Sequence, residues 1–134
     1  HQRGYKVGLV SGGFHEVIDP IARSLGIDLV RANRLQVSEG YLTGKVLGEI
    51  VTPERKKDSL LTWVRENHIP RSQTIAMGDG ANDLPMIETA GIGIAFMAKP
   101  IVAERAPYRI ETRDLSLVLE ILDQHRKETA CISY

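Results

Sequence analysis

The sequence predicts an α/β protein built on a mostly parallel sheet, with a small antiparallel hairpin inserted into it. Three observations predict this. Apolar, β-branched runs at Tyr5–Val10, Thr74–Met77 and Ile92–Phe96 have the length of buried strands. The first two end in glycine-bearing loops, Ser11-Gly12-Gly13 and Gly78-Asp79-Gly80. Helical periodicity follows, and strand alternating with helix argues a parallel sheet with helices on both faces. These three strands are expected to lie side by side and parallel.

Taken in order, the residues before Tyr5 read as the end of a helix leading into the first strand, which Ser11-Gly12-Gly13 closes. Val17, Ile18, Ile21, Ala22 and Leu25 then share one helical face, and Gly26 supplies the stop. Pro20 falls inside that pattern, so the helix either restarts there or bends. Ile27–Val30 reads as a short strand. From Ala32 to Val51 the βα rhythm breaks: apolar residues alternate loosely with polar ones, punctuated by Gly40, Gly44 and Gly48. Short antiparallel strands joined by tight turns are expected. Gly40-Tyr-Leu-Thr-Gly44-Lys45 is one residue short of a phosphate-binding loop, and Val46 stands where a hydroxyl is needed, so that reading is rejected.

Thr52-Pro53-Glu54 opens the next helix with a hydroxyl cap, a proline at the first position and an acid in the first turn. Leu60, Leu61 and Val64 form its apolar stripe. After Thr74–Met77, a helix carrying Leu84 and Ile87 is expected, then the strand Ile92–Phe96. A short helix to Ala106, a strand at Tyr108–Ile110 and an amphipathic helix through Leu115, Val118, Leu119 and Leu122 complete the pattern. Residues 1–125 are taken as one core domain and 126–134 as a flexible tail.

Composition excludes several classes. Seventeen Lys and Arg balance seventeen Asp and Glu, so no global field favours nucleic acid or an anionic membrane. No apolar run approaches a membrane span, and the opening HQRGYKVGLV lacks the features of a signal peptide. One cysteine, Cys131, forbids an internal disulfide, and a cytoplasmic location is expected.

The residues that carry chemistry cluster at the predicted strand ends. Asp79 and Asp83 bracket a loop containing Gly80 and Asn82. Ligands of open α/β sheets sit at the carboxyl ends of strands. Two ionised carboxylates there repel unless a cation lies between them, and Mg²⁺ takes carboxylate oxygen while keeping waters and phosphate oxygens. Ser11, at a strand end and helix start, offers a hydroxyl and backbone N–H groups to an anion. No Gly-x-Ser-x-Gly surrounds it, which removes a hydrolase nucleophile elbow. Arg55, Lys56 and Lys57 place cations at a helix start, against the positive end of its dipole. They form either a solvated basic cluster or a group that reaches an anion.

VSGGF at 10–14, GEIVTPERKKDSLL at 48–61 and GDGANDLPM at 78–86 together resemble three successive motifs of the haloacid dehalogenase superfamily of phosphatases. ANRLQVSEGYLTGKVLGEIV is similar to the hairpin segment of the phosphoserine phosphatases within it. The resemblance covers residues 1–125 and implies a three-layer, Rossmann-like core. It implies that Ser11 and the Gly12 backbone bind the transferred phosphoryl group. Lys56 rather than Lys57 would neutralise phosphate charge, and Asn82 would contact phosphate or substrate. Asp79 would be a direct Mg²⁺ ligand and Asp83 would support the metal's waters. Such roles suit phosphoryl transfer, where catalysis is positioning and charge neutralisation. Ser11, Lys56 and Asn82 are expected to converge beside Asp79.

One departure stands out. The family's first motif is Asp-x-Asp, its first aspartate the nucleophile, and no two aspartates of this chain are two apart. The family's first strand, and the helical cap that follows its first motif, are absent from residues 1–134 as well. The expectation is therefore the carboxyl-terminal part of an enzyme that hydrolyses O-phospho-L-serine to serine and phosphate with Mg²⁺, this part alone being inactive. Another small phosphomonoester, or a non-catalytic phosphate- and metal-binding module, are the alternatives.

Overall fold

Two three-stranded sheets carry the fold, one in each of the two units into which the chain divides, His1–Ser59 and Leu60–Tyr134. The computed structural model describes residues 1–131.

In the first unit the strand order is β1-β2-β3, with β1 at Gly8–Phe14, β2 at Leu29–Ser38 and β3 at Tyr41–Leu47. Residues before Gly8 are not helical: Gly4 takes a left-handed φ of 83° and donates its N–H to the His1 carbonyl, which makes a turn. Strand β1 does not end at Val10 either. It continues through Ser11-Gly12-Gly13 to Phe14, but out of register. Val10 faces Arg31 and Phe14 faces Asn33, so β1 advances four residues while β2 advances two. The extra residues bulge, as they do where a strand redirects side chains beside a site. Helix α1 (His15–Leu25) follows at once and contains Pro20 as one unbroken element. Proline's missing N–H forgoes only the bond to Glu16. Gly26, at φ 68°, ends the helix by donating to Ala22 and Arg23.

Strand β2 unites what the sequence divides between two segments. Its first residues pair parallel with β1, and Arg34–Ser38 pair antiparallel with β3. The ten residues LVRANRLQVS hold no glycine or proline, so nothing interrupts the strand where it changes partner. Ser38 faces Tyr41 across a two-residue turn whose Glu39 and Gly40 both have positive φ, 52° and 83°. That is the turn geometry which matches strand twist in a tight hairpin.

Helix α2 (Pro53–Glu66) begins in the first unit. In the second, β4 (Ile75–Gly78), β5 (Ile92–Phe96) and β6 (Tyr108–Ile110) form a wholly parallel sheet in that order. Helices α3 (Leu84–Thr89) and α4 (Pro100–Arg105) are the crossovers, and α5 (Leu117–Cys131) is the last element of the described residues. The core is Leu84 and Ile87 of α3, Ala95 of β5, Val102 of α4 and Ala106. Ile87, Ile94 and Val102 are at most 1% exposed, and burying side chains of this kind stabilises by about 1.5–3 kcal/mol each. The α/β class, the parallel strands and the antiparallel hairpin are as expected. The side-by-side set is not: β5 is the partner of β4, but the parallel partner of β1 is β2. Of the expected tail, residues 126–131 belong to α5, and 132–134 lie outside the described residues.

Candidate functional site

The sequence-predicted residues fall into two groups, one in each unit. In the first, the bulge of β1 turns Ser11 into a small hydrogen-bonded loop. Its Oγ accepts the Gly13 N–H at 2.9 Å. No acceptor among the described residues takes the Ser11 hydroxyl proton, so this half-buried group can donate to a ligand. The Gly12 carbonyl accepts from Asn33 Nδ2 at 3.0 Å, and Asn33 Oδ1 accepts the Val51 N–H at 2.8 Å. Asn33 is buried and does not stand out in the sequence, because nothing in ANRLQ marks an amide whose two partners lie about twenty residues away on either side.

Helix α2 starts as its residues require. Thr52 Oγ1 accepts the Arg55 N–H at 3.2 Å, and Pro53 occupies the first helical position. Lys56, in the first turn, is 7% exposed, whereas Lys57 is only half-buried. A buried lysine on a helix that opens with two further cations is not part of a solvated cluster. Arg55 is paired with Glu49.

A cleft of about 360 Å³ in this unit is lined by His15, Arg31, Glu49 and Arg55 among others, and by none of Ser11, Gly12 or Lys56. Two of its charges cancel in the Arg55–Glu49 pair. Both nitrogens of His15 are also engaged, Nδ1 with Asp19 at 2.8 Å and Nε2 accepting the Ala32 N–H at 3.2 Å. Ser11 and Gly12 lie at the bulge of β1 and do not line this cleft.

The second group occupies one loop. Asp79 follows β4 directly and is exposed, and its carboxylate enters no hydrogen bond or ion pair among the described residues. Asp83, 7% exposed, is spent differently: its Oδ2 accepts the N–H groups of Asp79 at 3.1 Å and Gly80 at 3.3 Å. Its own N–H returns to the Gly80 carbonyl at 2.9 Å through a 3₁₀ turn at Ala81–Asp83. Asn82, in that turn, is exposed, with its Oδ1 folded back over Gly80, 2.6 Å from where a Cβ there would stand. The loop closes this tightly because residue 78 has no side chain: a Cβ there would lie 2.4 Å from Asp83 Cβ and Oδ2.

The donor chemistry fits a hard divalent cation. Asp79 presents an uncommitted carboxylate at a strand end, and Mg²⁺ binds through one or two carboxylates while keeping several waters. Among the described residues no three His, Cys, Asp or Glu side chains are gathered where they could hold a metal ion. No helix of the described residues is long and apolar enough to cross a membrane.

The family model for haloacid dehalogenase-like hydrolases matches residues 1–88. The phosphoserine phosphatase of Streptococcus thermophilus is 64% identical over 124 residues, which are 92% of this chain and 58% of that protein. That of Lactococcus lactis is 56% identical over 124 residues, 92% of this chain and 57% of its own length. A solved structure of a phosphoserine phosphatase in its apo form superimposes with a TM-score of 0.84 at 45% identity, covering 89% of this chain and 60% of that one. The chain thus spans a little over half the length of the curated relatives it matches.

Proposed function

Because the chain belongs to the haloacid dehalogenase-like hydrolase family, we propose that it supplies the phosphate-holding and metal-holding residues of a Mg²⁺-dependent phosphoserine phosphatase. The reaction is hydrolysis of O-phospho-L-serine to L-serine and phosphate. The observation that carries the reading is the division of labour in the β4 loop. Asp83 is committed to two backbone amides, which leaves the exposed carboxylate of Asp79 uncommitted at the strand end.

In this reading Ser11 donates its hydroxyl proton to a phosphoryl oxygen, while one lone pair of its Oγ accepts the Gly13 N–H. The Gly12 backbone lies against the same oxygens. Lys56, held along a buried path, offsets negative charge on the phosphoryl group, where such charge develops as the ester bond breaks. Asn82 contacts phosphate or substrate from its exposed turn. Asp79 would hold the cation directly and Asp83 would support its waters while fixing the loop. When bound, Mg²⁺ supplies positive charge to phosphoryl oxygens. The attacking carboxylate has no Asp-x-Asp candidate within residues 1–134. Asp79 and Asp83 are unsuited to that task, because both are needed as anions in other roles.

The test is phosphate release from O-phospho-L-serine with Mg²⁺, measured beside a panel of small phosphomonoesters. The chain is assayed alone and joined to an upstream segment carrying an Asp-x-Asp motif. Turnover only in the joined protein, fastest on O-phosphoserine, is the expected result. Preference for another ester reassigns the substrate. An inactive joined protein that still binds phosphate supports a non-catalytic module, the reading favoured by the missing motif. Turnover by residues 1–134 alone refutes these residue roles, since a nucleophile would then lie among groups placed in other tasks.

A further inference from the structure

Asn33 has both ends of its amide engaged by backbone groups: one is Gly12, to which the proposed function gives a task, and the other is Val51, just ahead of the helix that bears Lys56. Its Nδ2 donates to the Gly12 carbonyl at 3.0 Å and its Oδ1 accepts the Val51 N–H at 2.8 Å. The chemistry of the partners fixes which atom is nitrogen and which is oxygen, since a carbonyl only accepts and an N–H only donates. The residue is 6% exposed, and a buried amide with both ends satisfied is held in one orientation.

The Gly12 carbonyl belongs to the same peptide group as the Gly13 N–H. That peptide is planar and trans, so its carbonyl and its N–H point in opposite directions. Asn33 holds one end. The other donates to Ser11 Oγ at 2.9 Å. Fixing the carbonyl therefore fixes the N–H, and the N–H sets the side-chain rotamer of Ser11. With that lone pair used, the hydroxyl proton is directed away from the loop, toward a bound anion. The second arm of Asn33 acts on the chain entering α2. Val51 precedes the cap Thr52, whose carbonyl receives the Lys56 N–H at 2.9 Å.

Resting on the phosphate-binding reading above, we propose that Asn33 is a positioning residue: one side chain that orients the Ser11 hydroxyl through the Gly12–Gly13 peptide and anchors the start of the helix bearing Lys56. It touches no reacting atom in this scheme. The alternative is a plain structural brace, whose loss would lower stability and leave the affinity of the folded protein for an anion unchanged.

The experiment uses the ¹⁵N-labelled chain, titrated with inorganic phosphate and followed at the amides of Ser11, Gly12 and Gly13, with amide exchange measured separately without phosphate. Asn33→Asp is the informative variant. It keeps an oxygen for the Val51 N–H but sets a carboxylate oxygen against the Gly12 carbonyl. Asn33→Ala removes both arms, and Ser11→Ala removes only the end of the relay. In the unsubstituted chain, saturable phosphate-dependent shifts at the three amides and slowed exchange at Gly13 are expected. Asn33→Asp should keep Val51 protected, lose the Gly13 protection and bind phosphate roughly fivefold to tenfold more weakly, the net scale of one hydrogen bond. Ser11→Ala should weaken phosphate to a similar degree and leave Val51 untouched. Phosphate affinity and Gly13 exchange in Asn33→Asp equal to those of the unsubstituted chain overturn the inference and leave the phosphate site standing. Absence of any saturable response at Ser11–Gly13 in the unsubstituted chain overturns the phosphate site itself, and the inference with it. Should Asn33→Ala not fold, Asn33→Asp decides. Should both fail to fold, an unprotected Gly13 amide in the unsubstituted chain overturns the relay directly.

Discussion

Asp79 and Asp83 carry the same chemical group four residues apart, yet the structure spends them differently. Asp83 Oδ2 is buried against two backbone N–H groups, while the Asp79 carboxylate faces solvent. Stability and metal binding should therefore separate between them. Asp79→Asn removes a charge with no intramolecular partner and should shift stability by less than about 0.5 kcal/mol, while abolishing measurable Mg²⁺ binding. Asp83→Ala leaves two amides without their acceptor and should cost about 1–3 kcal/mol. Urea unfolding with and without Mg²⁺ checks both, and equal stability losses would contradict the division. Gly78→Ala tests the same loop from the opposite side. A Cβ 2.4 Å from Asp83 must push that carboxylate off its amides. The variant should lose Mg²⁺ binding as Asp79→Asn does and also lose stability as Asp83→Ala does, readable in the same titration. The sequence shows both carboxylates and the glycines around them. It does not show the 3₁₀ turn that sends one inward, because that turn depends on the φ and ψ of three residues rather than on any periodicity.

At the scale of elements, legibility follows how local each signal is. Ile92–Phe96 and Tyr108–Ile110 appear where their apolar runs place them, and Thr52-Pro53 opens α2 as its capping chemistry requires. The sequence pattern splits strand β2 in two, because Ile27–Val30 reads as a short strand and the stretch from Ala32 to Val51 as a hairpin. Only the absence of a breaker between them signals continuity. The hairpin turn offers a sharp test. Glu39 holds a left-handed φ of 52° without the freedom of glycine or the side chain of asparagine. Glu39→Asn should stabilise the hairpin by a few tenths of a kcal/mol, and Gly40→Val should destabilise it by about 1–2 kcal/mol, since its φ is 83°. Amide exchange at Tyr41–Leu47 is the measurement, slower in the first and faster in the second. In the second unit, Ile87→Ala should cost about 2–5 kcal/mol, because its side chain is 1% exposed at the centre of the α3, β5 and α4 cluster. Thr52→Ala, which removes only a cap, should cost about 1 kcal/mol.

For the whole molecule, class and strand direction are legible in the sequence but the division into sheets is not. Parallel strands separated by helices are written in the alternation of periods, whereas the choice of partner for each strand is not: β1 and β4 have similar apolar runs, and each pairs with the next strand along the chain. Balanced charge, with seventeen residues of each sign, gives the chain no strong field of its own. Its response to pH should then report particular groups, and Tyr108 is one. Burial raises the pKa of its phenol above the ordinary value of 10, and hydrogen bonding and charge from Glu128 raise it further. The hydroxyl bridges β6 and α5, donating to Glu128 at 3.1 Å and lying 3.2 Å from His125 Nδ1. A raised pKa means the folded state holds the proton more tightly than the unfolded chain does. The stabilisation is therefore complete below about pH 10, where the unfolded phenol is still protonated, and is lost as pH rises through the higher folded value. Tyr108→Phe removes that dependence together with the hydroxyl's hydrogen bonds. It should unfold at slightly lower urea than the unsubstituted chain at pH 7, by about 1 kcal/mol. Above pH 10 the two midpoints should converge as Tyr108 ionises in the unfolded state. Urea midpoints measured from pH 7 to pH 11 on both proteins decide it, and a gap that stays constant across that range would show that Tyr108 does not couple the last strand and the last helix to the proton.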